Sequence, residues 1–445
     1  MKRYEAYKPS GTAWFTSVPE PWNILKINAL FSQRKEKVSD KDFAPISVTK
    51  NGIMPQLETA AKTDDGDNRK KVCVGDFVIN SRSDRKGSCG VSPFDGSVSL
   101  INIVLQPRQE LNGRYAHYLL RSQPFSEEFY RNGRGIVADL WTTRYSEMKN
   151  ILLPVPPRDE QDQIVRYLDW QVSKINRLIA AKRKQIQLLK ERQKTRIAHI
   201  VQCGLDDNAV TRDSGIEYIG IVPSHWLVLQ NRRLFHSMNR IFQGTPTVLS
   251  LSQKDGLIPY SEMSERSLHT SSYENWQLVH ENDLVLNRFK AHLGVFFASK
   301  YEGIVTFHYG VYEPRKPLVA KYYEALYHTS SYCRVYAGQS RGMTVGLQNL
   351  SDTNFYSTYT VYPPYEEQVE IVSEISRIEK QHSQIIASIV SQIEMLQDLR
   401  TRLISDVVTG QIDVRGIEVP DYEHCDEAPE NAAEESSDAD YDTEE

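Results

Sequence analysis

The 445-residue chain is 40% hydrophobic and 25% charged, which allows two to four domains with packed cores. Its formal charge of −5 hides an asymmetry: Glu418–Glu445 hold 13 Asp or Glu and no Lys or Arg, so Met1–Ile417 keep 53 basic against 45 acidic residues. A body of charge +8 with an acidic tail suits a polyanion partner better than the raw total does.

No run of 18 apolar residues is present, so no membrane helix is expected. Met1-Lys2-Arg3-Tyr4-Glu5 lacks an apolar core and does not read as a secretory signal. The cysteines at 73, 89, 203, 333 and 425 are scattered, without a Cys-x-x-Cys pair. Free thiols and a cytoplasmic location are the expectation, rather than a disulfide framework or a zinc site.

In chain order, Ser10-Gly11, Val18-Pro19, Trp22, Leu25, Leu30 and Phe31 come first. Val72–Ile79 and Val98–Leu105 are β-rich, and Tyr115–Arg121 reads as a short helix. Arg69-Lys70-Lys71, with no basic counterpart later on, reads as a solvated turn. Pro156-Pro157-Arg158-Asp159-Glu160-Gln161 then starts a helical pattern that runs to Asp206. The prolines prevent an earlier start, and the acidic residues suit the positive helix N-terminus.

The whole plan then repeats. Ser214-Gly215, Val222-Pro223, Trp226, Leu229, Leu234 and Phe235 lie 204 positions after their counterparts. From Asp76/Asp283 onward the offset is 207: Gly96 matches Gly303, and Arg134-Gly135 matches Arg341-Gly342. Strands are expected at Leu284–Leu286, Val295–Ala298 and Ile304–Phe307, with a short helix at Tyr322–His328. Pro363-Pro364-Tyr365-Glu366-Glu367-Gln368 starts the second helical pattern, which runs to Asp413.

Leu168, Ile175, Lys182, Leu189 and Arg196 fall on one heptad position of the first copy, and Val172, Ile179, Ile186, Gln193 and Ile200 on the other. In the second copy the positions are Ile375, His382, Ile389, Leu396, Leu403 and Glu379, Ile386, Ile393, Arg400, Val407. This is the pattern of a coiled-coil seam, and the simplest partner for one helix is the other, packed antiparallel.

The predicted architecture is α+β. Two similar mixed α/β globular domains (1–153 and 207–360) alternate with two long helical segments (154–206 and 361–416), and an acidic tail (417–445) follows. The tail is expected to be disordered, since it has little apolar surface to bury. One chain then mimics a symmetric dimer with two unlike heads. Symmetric dimers read two DNA half-sites at a fixed separation.

Catalytic motifs are incomplete throughout. Tyr362-Pro363-Pro364-Tyr365 resembles an amino-methyltransferase motif, but Tyr362 stands where an Asn or Asp would be needed, and the first copy reads Val155-Pro156-Pro157-Arg158. Asp139, Glu147 and Lys149 are loosely spaced for a nuclease set, and their counterparts Gly346, Asn354 and Tyr356 would not bind the same metal. No phosphate-cradling Gly-x-x-x-x-Gly-Lys-Ser/Thr occurs.

The residues that do recur in both copies are polar loops. Ser81, Arg82, Arg85 and Lys86 follow a strand, and Asn287, Arg288, Lys290 and His292 occupy the equivalent place. Before each long helix lie Arg131, Arg134, Thr143 and Arg144, and then Arg341, Gln348 and Asn349. Arg can bond guanine bidentately, Asn or Gln can do so to adenine, and Lys and Thr more often hold phosphate. These residues are the candidate DNA contacts.

The Pro-Pro-x-x-Glu-Gln helix start, the Ser-Gly…Val-Pro-x-x-Trp domain opening and the duplication over about 1–416 resemble the specificity subunit of a type I restriction–modification system. The acidic tail departs from that pattern. The resemblance implies two target-recognition domains reading a split double-stranded DNA target, and two helices acting as a spacer. It also implies docking of two methyltransferase subunits and of restriction subunits. S-adenosylmethionine, Mg²⁺ and ATP would belong to those partners, with no cofactor in this chain. The competing readings are a methyltransferase or nuclease with diverged motifs, and a coiled-coil scaffold protein.

Overall fold

The computed structural model describes residues 2–56, 66–82, 85–108, 110–135, 141–237, 240, 242, 247–252, 256–262, 273, 276–340 and 349–426. They form two units, one of Met1–Lys184 with Ile389–Glu445 and one of Gln185–Ser388.

In the first unit an antiparallel sheet is ordered Cys89–Val91, Phe77–Asn80, Asn102–Pro107, Phe31–Gln33. Phe77–Asn80 is buried on both faces. Phe77 and Ile79 join the main core with Trp22, Phe31, Tyr115 and Phe125, while Val78 joins a smaller cluster with Ile46, Ile53, Val72, Val98 and Val104. The helices Gly113–Arg121 and Gln123–Arg131 cover the main-core side.

The second unit repeats this order: Phe296–Ala298, Leu284–Asn287, Tyr309–Pro314, Phe235–Ser237. Each β-rich stretch of the first head is two strands rather than one. Arg69–Val72 and Phe77–Asn80 are split by a turn at Gly75, whose φ is +89°. Asn282 takes that left-handed place in the second unit at φ +65°, and Asn is among the residues that tolerate it. Its side chain also bonds Ala320 N and Leu318 O.

Arg69-Lys70-Lys71 is not a solvated turn. It is a strand between Gly96–Val98 and Lys37–Val38, and Arg69 is buried with its guanidinium on the hydroxyl and carbonyl of Ser97. Buried in this way, Arg69 serves the sheet rather than the surface. An equivalent ion pair braces each sheet: Asp76 takes Arg34 at 2.7 and 3.1 Å, and Asp283 takes Arg240 at 2.6 Å.

The two long helices are Arg158–Cys203 and Tyr365–Val408, each starting directly after its Pro-Pro pair. In the first unit, Leu168, Ile175 and Ile179 pack with Ile393, Leu396, Leu403 and Val407. Lys182 bonds Gln392 and Arg400 bonds Asn176, so the numbering runs oppositely and the pair is antiparallel. In the second unit, Ile197, Ile200 and Val201 pack with Ile371, Val372, Ile375 and Ile378.

The duplicated motifs join head to helix. Glu160 accepts from Tyr4 Oη and from Trp22 Nε1, and Glu367 accepts from Trp226 Nε1 and pairs with His225. Gln161 takes Asn112 N and reaches back to Pro156 O, just as Gln368 takes Val319 N and reaches Pro363 O. Tyr115 donates to Val408 O at 3.2 Å, and Tyr322, 207 residues on, donates to Val201 O at 2.7 Å. In each unit the head therefore holds the start of one long helix and the end of the other.

The tail departs from expectation over 417–426. Gln163 donates to Val414 O and Ile417 O, Asn176 to Cys425 O, and Arg177 to Glu423 O, while Ile417 and Val419 pack on the main core. A few apolar residues and backbone carbonyls suffice to lay this stretch along the first long helix. The rest of the tail, 427–445, lies outside the described residues.

Candidate nucleic-acid interface

In the first head the candidate residues come from two separate loops, and the backbone stitches them together. Ser81 O accepts from Thr143 N at 2.9 Å, and Arg134 and Thr142 exchange both main-chain bonds at 3.0 Å. Arg82 and Arg134 both bridge to Thr142. The patch is one surface built, among the described residues, from 81–82, 85–86, 131–135 and 141–144.

Within it the side chains divide by role. Arg82, Arg85, Arg131, Arg134 and Arg144 are exposed. Arg134 reaches Glu147 only at 4.0 Å with its side chain 85% exposed, so its guanidinium is available to a partner. Arg131 is paired with Glu128, and Lys86 with Glu127 at 2.6 Å while lying over the Tyr130 ring. Ser81 and Thr143 are buried, with their hydroxyls on Ile101 O and Phe129 O. Those two hold the loops in place and present nothing outward.

Tyr130 and Trp141, which are not among the residues singled out by the sequence, form the floor of the patch. Trp141 Nε1 donates to Tyr130 O at 2.8 Å, and the rings lie 5.8 Å apart. A Cβ on Gly133 would collide with the Trp141 indole at Nε1, so only glycine allows this approach. The hollow bounded by Ser81, Arg82, Lys86, Tyr130, Trp141 and Thr143 measures about 20 Å³. That holds a water molecule and not a flipped-out base.

The second head uses the same stitch with different side chains. Leu350 N donates to Arg288 O at 3.0 Å, the bond 207 residues on from Thr143 to Ser81, and it sets Asn349 beside the Asn287–Arg288 loop. Asn287 Oδ1 caps the short turn Arg288–Leu293 through Phe289 N and Lys290 N. Arg288 is tied to Asp352 at 2.9 Å, and Asp352 also accepts from Tyr312 Oη. Lys290 and Asn349 are exposed, and the ring of Phe307, 56% exposed, lies 4.0 Å from that of His308, tilted by 39°. The backbone of His292 lies in the same turn. Arg341 and Gln348 lie outside the described residues. The first surface is thus rich in arginine and the second is mixed polar and aromatic.

Among the described residues, no group of three or more His, Cys, Asp or Glu is arranged to hold a metal ion, and no helix is long and apolar enough to cross a membrane.

No family model matches the chain, and no curated protein matches it. Solved structures do. A chain from a study of complex assembly and conformational transition in the type I restriction–modification system aligns over 89% of this chain and 99% of its own, with TM-score 0.55 and 15% identity. The HsdS subunit from Thermoanaerobacter tengcongensis covers 89% of this chain and 98% of its own, with TM-score 0.47 and 14% identity. The S subunit of a type I system from M. genitalium covers 90% and 97%, with TM-score 0.33 and 14% identity. The first of these carries the comparison: this chain has the fold of that type I restriction–modification chain, two mixed α/β heads with two long helices.

Proposed function

We propose that the chain is the non-catalytic DNA-specificity subunit of a type I restriction–modification complex. Each head reads one half of a bipartite duplex target, and methyltransferase and restriction subunits dock on the chain. The observation that carries this reading is the reciprocal anchoring of two unlike heads, through Tyr115 to Val408 and Tyr322 to Val201. Two copies of one frame, each fixing its own head in the same way, are what a single-chain counterpart of a symmetric DNA-reading dimer would need. Because the frame is alike and the surfaces are not, the two half-sites should differ in sequence.

In the first head, Arg82, Arg134 and Arg144 would reach base edges or phosphates, and Arg131 and Lys86 would exchange their carboxylate partners for phosphate. Lys290 and Asn349 take that role in the second head. The methyl donor, Mg²⁺ and ATP would act in the partner subunits.

The test is exchange of residues 1–153 for the equivalent domain of a related protein, with target sites read by methylation in the reconstituted complex. One half-site should change and the other stay. A change in both halves, or in neither, would overturn the reading of independent heads. A scaffold protein would show no sequence preference at all.

A further inference from the structure

The two helix pairs share one backbone plan but are not filled alike. In the first unit, Tyr167, Ile175 and Leu403 are buried, and Trp170 and Leu396 pack against them. At the positions 207 residues away, or the same distance back, the second unit has Glu374, His382, Arg196, Arg377 and Leu189. Four of the five apolar groups have become polar or charged. A cleft of about 360 Å³ opens there between the helices, lined by those residues with Arg192, Ile378, Gln381 and Ile385.

The chemistry of this cleft is incomplete by itself. It brings three guanidinium groups together against one carboxylate. That carboxylate, Glu374, is already bound to Arg377 at 2.6 and 2.7 Å. Arg192 and Arg196 stand about one turn apart on the first long helix, and both are exposed. His382 Nδ1 is buried and has no hydrogen-bond partner. Arg196 and His382 both sit on seam positions, where the first unit uses Leu403 and Ile175. Cations that share a half-enclosed space repel one another, and a buried unpaired nitrogen costs free energy; an anion relieves both. Paired arginines match an oxyanion best, and phosphate best of all.

We propose that this cleft is a binding site for a small phosphomonoester. Its phosphate would lie between Arg192 and Arg196, within reach of His382 Nδ1, and its organic body on Leu189, Ile378 and Ile385. The volume falls within the usual range for small-molecule pockets. The assignment does not depend on the DNA reading, because the cleft lies in the helix pair and shares no residue with the head surfaces.

Equilibrium dialysis of the full chain with phenyl phosphate, inorganic phosphate and benzoate tests it. Saturable binding of phenyl phosphate is expected, at least about tenfold tighter than benzoate and tighter than inorganic phosphate. The variant Arg192→Leu/Arg196→Leu/His382→Ile removes both guanidinium groups and the imidazole and, at 196 and 382, takes the first unit's residues. It should lose that binding and melt at a higher temperature. Absence of saturable binding to the native chain, unchanged binding by the variant, or a variant that melts lower would each overturn the proposal. Displacement of phenyl phosphate by any duplex, whatever its sequence, would also overturn it by assigning the arginines to the DNA path.

Discussion

Replacing Glu160 by Ala removes the acceptor that joins the first head to its helix. Tyr4 Oη and Trp22 Nε1 then both lose their partner, and Tyr4 and Trp22 are 6% and 0% exposed. A buried donor left unpaired costs about 1–3 kcal/mol, so the change should cost about 2–6 kcal/mol. Glu367→Ala leaves one buried donor, Trp226 Nε1, because His225 is half exposed. Its cost should be about 1–3 kcal/mol. Glu160→Gln keeps an acceptor oxygen and should cost less than the alanine variant. Hydrogen exchange read separately over 17–31 and 221–235 reports the opening free energy of each anchor. Equal losses at the two sites, or a Glu160→Ala loss under about 0.5 kcal/mol, would refute the assignment of Glu160 as a two-donor anchor.

Alanine at Arg82, Arg134 and Arg144 should weaken duplex binding. The slope of log affinity against log salt should become shallower by about 0.9 for each phosphate no longer neutralised, with relaxed reading of one half-site only. Binding titrations at several salt concentrations check this, and an unchanged slope would remove these residues from the interface. His117 is half-buried beside Arg121 and Arg114, and loss of solvent around the ring above all holds its imidazole down at about 3. The unfolded chain therefore takes up a proton that the folded head refuses between pH 6.5 and 3, so stability present above pH 6.5 falls as the pH drops through that window. About 2–3 kcal/mol should be lost by about pH 4.5, and His117→Gln should flatten that slope in acid unfolding. Adding one heptad to a long helix lengthens it by about 10 Å. Target mapping should then show an altered gap between half-sites whose sequences are unchanged.

The repeat made much of this fold readable. The Glu-Gln pairs, the Trp of each domain opening and the tyrosines of the short helices align at fixed offsets, and each pair proves to make the same bond in its own unit. Local pattern also placed both long helices, since two prolines fix where each begins. What depended on distant partners was not readable. Ser81 and Thr143 carry DNA-contacting chemistry, yet their hydroxyls are consumed by carbonyls 20 and 14 residues away. Trp141 has the composition of an ordinary core residue, and only its approach to Gly133 and Tyr130 makes it the floor of the patch. The tail's composition pointed to disorder, but docking of 417–426 needs only Ile417, Val419 and a few carbonyls against Gln163, Asn176 and Arg177.

Mapping methylated bases in DNA from cells that carry this chain with its methyltransferase tests the central claim most directly. Two short, unlike sequence blocks separated by an unread stretch of constant length are the predicted result. One continuous motif, or methylation with no dependence on this chain, would contradict it.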